Sequence, residues 1–183
     1  MPACNADALL VLGCGCFPHF LRRNGSSLGR AIVSASRDVA YRIALAAGFL
    51  VEAEQDLLLE RWRSCVDNAQ LTVENAGKAA LALFGIAPKT HDPARQIASI
   101  LRQQALPAEV SELLRAMLPD LLILGTEAHF LTDYGDEASY TLPWDLFTRQ
   151  TAEDALQSAQ RLVQMARTLQ DLIRTWRQSQ SDL

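Results

Sequence analysis

Across residues 62–83, Trp62, Val66, Ala69, Val73, Ala76, Ala80 and Leu83 recur at alternating steps of four and three. That is the spacing of one buried stripe on an α-helix, and a helix carrying such a stripe folds only where other helices cover it. The same stepping returns three times. Val39, Ile43, Ala46, Leu50, Ala53 and Leu57 mark a first long helix; Val110, Leu114, Met117, Leu121, Leu124, Ala128 and Leu131 mark another; Ala155, Ala159, Leu162, Ala166, Leu169, Ile173 and Trp176 mark the last. No stretch from Arg37 onward alternates with period two, so the pattern predicts an all-α chain. Long stripes joined by short loops predict an up-and-down bundle of four to five helices.

The breaks between stripes have their own chemistry. Gly85 stops the second stripe, and Pro88, Thr90, His91, Asp92 and Pro93 form a loop into the next helix. Asp92 before Pro93 reads as an N-cap with proline at the first helical position, opening a short helix over 93–104. Thr151 with Asp154 predicts a capping box at the start of the last helix. Pro119 lies inside the fourth stripe without shifting its phase, which predicts a kink or a brief break. Residues 133–150 read as a loop. In the first two stripes Ala46, Ala53, Ala69, Ala76 and Ala80, flanked by Gly48 and Gly77, predict a closely packed stem.

At 183 residues the chain fits one domain that buries roughly 70% of its unfolded surface without needing disulfides or a metal. A net charge of −4 argues against a broad footprint for duplex DNA, while leaving room for a local groove that holds a nucleotide or a single strand. No apolar run reaches about 18 residues, so no membrane span is expected. Cys4, Cys14 and Cys16, with His19 nearby, match no common zinc spacing. Val11-Leu12-Gly13-Cys14 resembles a lipoprotein cleavage site, yet Asp7 and the lack of any preceding Lys or Arg oppose export. The expectation is free thiols, no metal, no cofactor and a cytoplasmic location. Glycine, proline and serine break the periodicity of residues 1–35, which read as an extension that is poorly packed or partly helical, with one short helix around 28–33. The bundle is expected over 36–178 and a disordered tail over 179–183.

A helix carrying Val73, Glu74, Lys78 and Ala79, then a Gly/Pro loop and the pair His91-Asp92, resembles the HEPN domain family over about residues 36–176. The family consists of small prokaryotic helical bundles associated with minimal nucleotidyltransferases and, in some branches, with RNA cleavage. The resemblance implies a homodimer, and Phe130, Trp144 and Phe147, outside the main stripes, are left for a partner to cover. Ribonuclease members carry an arginine followed, after four to six residues, by a histidine; none of His19, His91 and His129 has one there. The segment around Glu127, His129, Tyr134, Gly135, Asp136 and Glu137 also departs from the family: Leu122, Ile123, Leu124 and Gly125 stand where arginines often do, and Ser139 precedes Tyr140 in place of an arginine.

Spacing alone makes Glu74 and Lys78 an exposed helical ion pair worth about 0.2–0.5 kcal/mol; the resemblance makes them the lining of a polar groove near a dimer interface. His91 and Arg95 sit beside a helix N-terminus whose free N–H groups attract a phosphate. The ligand-binding candidates are therefore His91, Arg95, Glu74, Lys78 and Tyr134, with no catalytic residue assigned beyond the candidates His129 and His91. Three functions stay open: a non-catalytic subunit that binds a nucleotide or single-stranded RNA beside a minimal nucleotidyltransferase in a toxin–antitoxin type system, a metal-independent ribonuclease with a non-standard site, and a purely structural dimerisation bundle.

Overall fold

The computed structural model describes residues 25–86 and 91–181, with side chains described from residue 36. Seven helices follow one another among the described residues: α1 Gly25–Leu58, α2 Trp62–Leu83, α3 Pro93–Gln103, α4 Ala108–Ile123, α5 Thr126–Tyr134, α6 Pro143–Leu146 and α7 Arg149–Ser181. The first 24 residues, with Cys4, Cys14, Cys16 and His19, lie outside the described residues, as do Pro88 and Thr90. Helix α1 crosses Ala35 without interruption, so the short helix expected over 28–33 is the opening of α1.

Helix α2 is the hub. It packs most extensively on α1 and α7 and also on α3, α4, α5 and α6, while α7 also reaches α1 and α4. The expected stripes form the core: Val39, Ala46 and Ala53 of α1, Ala69, Val73, Ala76 and Ala80 of α2, Leu114, Met117 and Leu121 of α4, and Ala159, Leu162, Leu169 and Ile173 of α7 are all buried. Enclosed by these neighbours, α2 buries every residue from Thr72 to Leu83, polar ones included. A single stripe predicts none of this.

Small residues do bring α1 and α2 together, but the two glycines do not contribute. A Cβ on Gly48 would meet nothing within 4 Å, whereas one on Gly77 would come within 2.7 Å of Leu121 and 2.8 Å of Pro93. Gly77 thus admits α3 and α4, and α1 stays close through its alanines.

The punctuation differs from expectation in detail. Helix α2 ends at Phe84 with Gly85 at φ 76°, and the Gly85 and Ile86 N–H groups return to the carbonyls of Ala82 and Leu81 (3.0 and 3.1 Å), a Schellman ending. Asp92 accepts a hydrogen bond from the Arg95 N–H (3.2 Å), as an N-cap should. The capping box of α7 lies one turn earlier than expected: Thr148 Oγ1 accepts from the Thr151 N–H (3.3 Å) and Thr151 Oγ1 from the Thr148 N–H (2.8 Å), while Asp154 accepts instead from Gln150 (3.0 Å). Helix α4 continues through Pro119, and the break falls at Leu124 and Gly125, dividing the fourth stripe between α4 and α5. The 133–150 loop contains α6 and a tight turn in which Asp136 and Thr141 exchange backbone hydrogen bonds of 2.9 and 3.0 Å. Phe147, expected to await a partner, packs against the core of its own chain; Phe130 and Trp144 stay 55% and 70% exposed.

Candidate functional site

Gln70, Glu74 and Lys78 stand four residues apart on α2, a polar row one turn per step on the side away from the alanine stripe. Glu74 and Lys78 are 5% and 8% exposed, so they are not the surface pair that spacing suggests. Lys78 Nζ donates to Glu74 Oε1 at 2.6 Å, and Gln70 Nε2 donates to Oε2 at 3.3 Å. His91, from the loop ahead of α3, completes the carboxylate's shell with Nδ1 at 3.0 Å from Oε2. Burial alone would push the Glu74 carboxyl up; the hydrogen bonds and charges of Lys78 and His91 outweigh it and hold the group below the ordinary carboxylate range.

Helix α5 adds the second half. The His129 ring lies parallel to that of His91, with centroids 5.7 Å apart and planes within 8°. Phe130 and Tyr134 extend the row at centroid spacings of 6.0 and 6.1 Å, their planes tilted by 50° from His129 to Phe130 and by 34° from Phe130 to Tyr134. His129 and Asp133, one turn apart, approach to 3.7 Å between Nε2 and Oδ2. Across from them on α2, Asp67 accepts from the Arg63 guanidinium (2.9 Å) and from the Thr132 hydroxyl (3.3 Å), and Arg63 also lies 3.9 Å from Asp133. The result is a rank of rings over a floor in which Lys78 and Arg63 each face a carboxylate.

Four of the expected residues, Glu74, Lys78, His91 and His129, meet here. Arg95 does not join them: its side chain is 88% exposed and turns to Asp92 at 3.6 Å, while the Asp92 carboxylate already caps the start of α3. The expected phosphate cradle of His91, Arg95 and that helix end is therefore not assembled, because Glu74 holds the His91 ring. Tyr134 closes the ring row and is 63% exposed. Sequence reading missed Asp67, Asp133, Arg63 and Gln70. The His129/Asp133 spacing of four was a readable signal; nothing local pointed to Asp67, 65 residues before Thr132.

A second, more apolar cleft of about 580 Å³ lies between α5 and α7, where Leu124, Ala128, Leu131, Phe147 and Ala155 meet Arg161. Asp120 and Ser158 fix Arg161 there, with Asp120 accepting from Nη2 at 2.7 Å and from Nε at 3.2 Å.

A model of the HEPN domain matches residues 39–169. The crystal structure of TT1696 from Thermus thermophilus shares the fold, with a TM-score of 0.55 at 20% identity over 72% of this chain and 97% of that one. ST0689, described as an archaeal HEPN homologue, gives 0.47 at 18% over 71% and 95%. None of the curated proteins matches the chain.

Proposed function

Because the chain belongs to the HEPN domain family, we propose that it works as a non-catalytic binding subunit that holds a nucleotide or a single-stranded RNA on its α5 face. The observation that carries this reading is the row of four rings beside a charge-compensated floor. Bases of any identity stack on such rings, at about 1–3 kcal/mol each. Phosphodiester cleavage needs a cation free to follow the charge that develops on the phosphate, and the two cations nearest the histidines are held by Glu74, Asp67 and Asp133. In this reading the protein is a cytoplasmic homodimer, partner to a minimal nucleotidyltransferase in a toxin–antitoxin type system. Exposed Leu122, Ile123 and Trp144 offer apolar surface for one or both contacts. No helix among the described residues is long and apolar enough to cross a membrane.

Fluorescence anisotropy with a labelled single-stranded RNA in the presence of chelator tests the reading. Saturable binding that weakens roughly tenfold in Phe130→Ala or Tyr134→Ala, one lost stacking contact, with the RNA recovered intact, supports it. Absence of binding contradicts it.

One observation favours the metal-independent ribonuclease: two parallel histidines, each beside a carboxylate, form a pair suited to moving protons in opposite directions. Cleavage abolished by either His91→Ala or His129→Ala in chelator would establish that second reading in place of the first.

A further inference from the structure

We propose that Asp67, His129 and Asp133 form a binding site for one divalent transition-metal ion between α2 and α5. Each residue offers one ligand atom, and the three atoms lie within 4.8 Å of one another. Around an ion with bonds of about 2.1 Å, ligand atoms sit roughly 3–4.3 Å apart. Small side-chain rotations close that difference. His129 and Asp133, one turn apart on α5, project to the same side, and Asp67 comes from the opposing helix, so the set is assembled by packing and not by a single flexible loop.

The surroundings orient the ligands. The Thr132 hydroxyl lies 3.3 Å from Asp67 Oδ1 and 2.9 Å from the His129 carbonyl, tying the aspartate to the helix that carries the other two ligands. Arg63 approaches Asp67 through Oδ2 and Asp133 through Oδ1, which leaves for an ion the Asp133 Oδ2 that faces His129 and the second lone pair of Asp67 Oδ1, whose other partner is the Thr132 hydroxyl. Side-chain exposures of 25%, 32% and 37% leave room for water in the remaining coordination positions.

The ring nitrogen of His129 that faces away from Asp133 is left for a neighbouring water to satisfy. His129 Nδ1 and Arg63 Nε are buried and have no hydrogen-bond partner, two of only four such atoms among the described residues. Buried N–H groups of this kind are ordinarily satisfied by ordered water. One imidazole with two carboxylates suits manganese(II), iron(II) or zinc, the imidazole favouring a transition metal over magnesium or calcium.

The test uses the untagged full chain, stripped with chelator, dialysed and titrated with manganese(II), following free ion by electron paramagnetic resonance. The expected result is one saturable site whose bound ion shows nitrogen coupling in an electron spin-echo experiment. His129→Gln should remove the nitrogen coupling, and His129→Gln and Asp133→Asn should each weaken binding at least tenfold, while His91→Gln, outside the ligand set, retains both. Both altered positions are partly exposed, and melting curves of the variants confirm that they fold. No saturable site, or a site whose affinity and nitrogen coupling survive His129→Gln, overturns the proposal. That second outcome covers binding by the cysteines near the N-terminus. The readout is independent of RNA, so it stands or falls separately from the binding reading above.

Discussion

Helices α2 and α7 have the same apolar rhythm and opposite fates for their polar residues. On α7 Ser158 is buried, but the charged residues of the helix lie toward water, and the Asp171–Arg174 pair is 65% and 67% exposed at 2.8 Å. On α2 the equivalent Glu74–Lys78 pair, at 2.6 Å, is almost sealed from solvent. The two pairs are three and four residues apart, each within one helical turn, and their bond lengths of 2.8 and 2.6 Å are similar. What differs is the number of neighbours: α7 packs on α1, α2 and α4, whereas α2 packs on every other helix, α1 and α3 to α7. Desolvation makes an ion pair consequential, and it is a tertiary property.

The largest difference should follow from removing one partner. Lys78→Ala leaves Glu74 charged and buried with only Gln70 and His91 to satisfy it, and should destabilise by roughly 3 kcal/mol in urea unfolding. Equal midpoints for this variant and Arg174→Ala would remove the distinction between the helices.

Next come the two glycines, which contrast α2 with α1 at the level of packing. Gly77→Ala drives a methyl into Leu121 and Pro93 and should cost about 1–3 kcal/mol. Gly48→Ala meets open space on α1 and should stabilise by about 0.5–1 kcal/mol through helix propensity. Thermal melts with effects of the same sign would show that the α2/α3/α4 contact is looser than described.

How much of this was legible follows the same line. The stripes, the all-α class, the Asp92 cap and the Gly85 stop each rest on residues within one or two turns of each other, and each is found where local pattern placed it. The burial of Glu74 was hidden because it depends on α3, α4 and α5 also packing on α2. His91, His129, Glu74 and Lys78 could be named singly, yet their meeting depends on the chain folding back between Glu74 and His129, and the row that joins them is invisible in spacing. Thr148 and Thr151 show a subtler limit: two threonines three apart satisfy a cap as well as Thr151 and Asp154 would, so the start of α7 was misplaced by a turn.

A smaller effect is expected with pH. The Glu74 carboxyl is held below its ordinary value of 4.5 in the folded chain, so it contributes stability that is present above that value and lost as the pH falls through the folded pKa. Glu74→Gln should therefore flatten the acid limb of the stability curve below about pH 4.5. The smallest change belongs to Arg174→Ala, within about 0.5 kcal/mol of the parent.

The central claim, that enclosure turns an ordinary i,i+4 pair into the charge-compensated floor of the ring row, is tested most directly by a double-mutant cycle. Urea unfolding of Glu74→Gln, Lys78→Met and the double variant yields the coupling between the two side chains. The account predicts a coupling of about 2 kcal/mol or more, with the double variant more stable than Lys78→Met alone because no buried charge is left uncompensated. A coupling below about 0.5 kcal/mol, the size expected of an exposed helical pair, would contradict it.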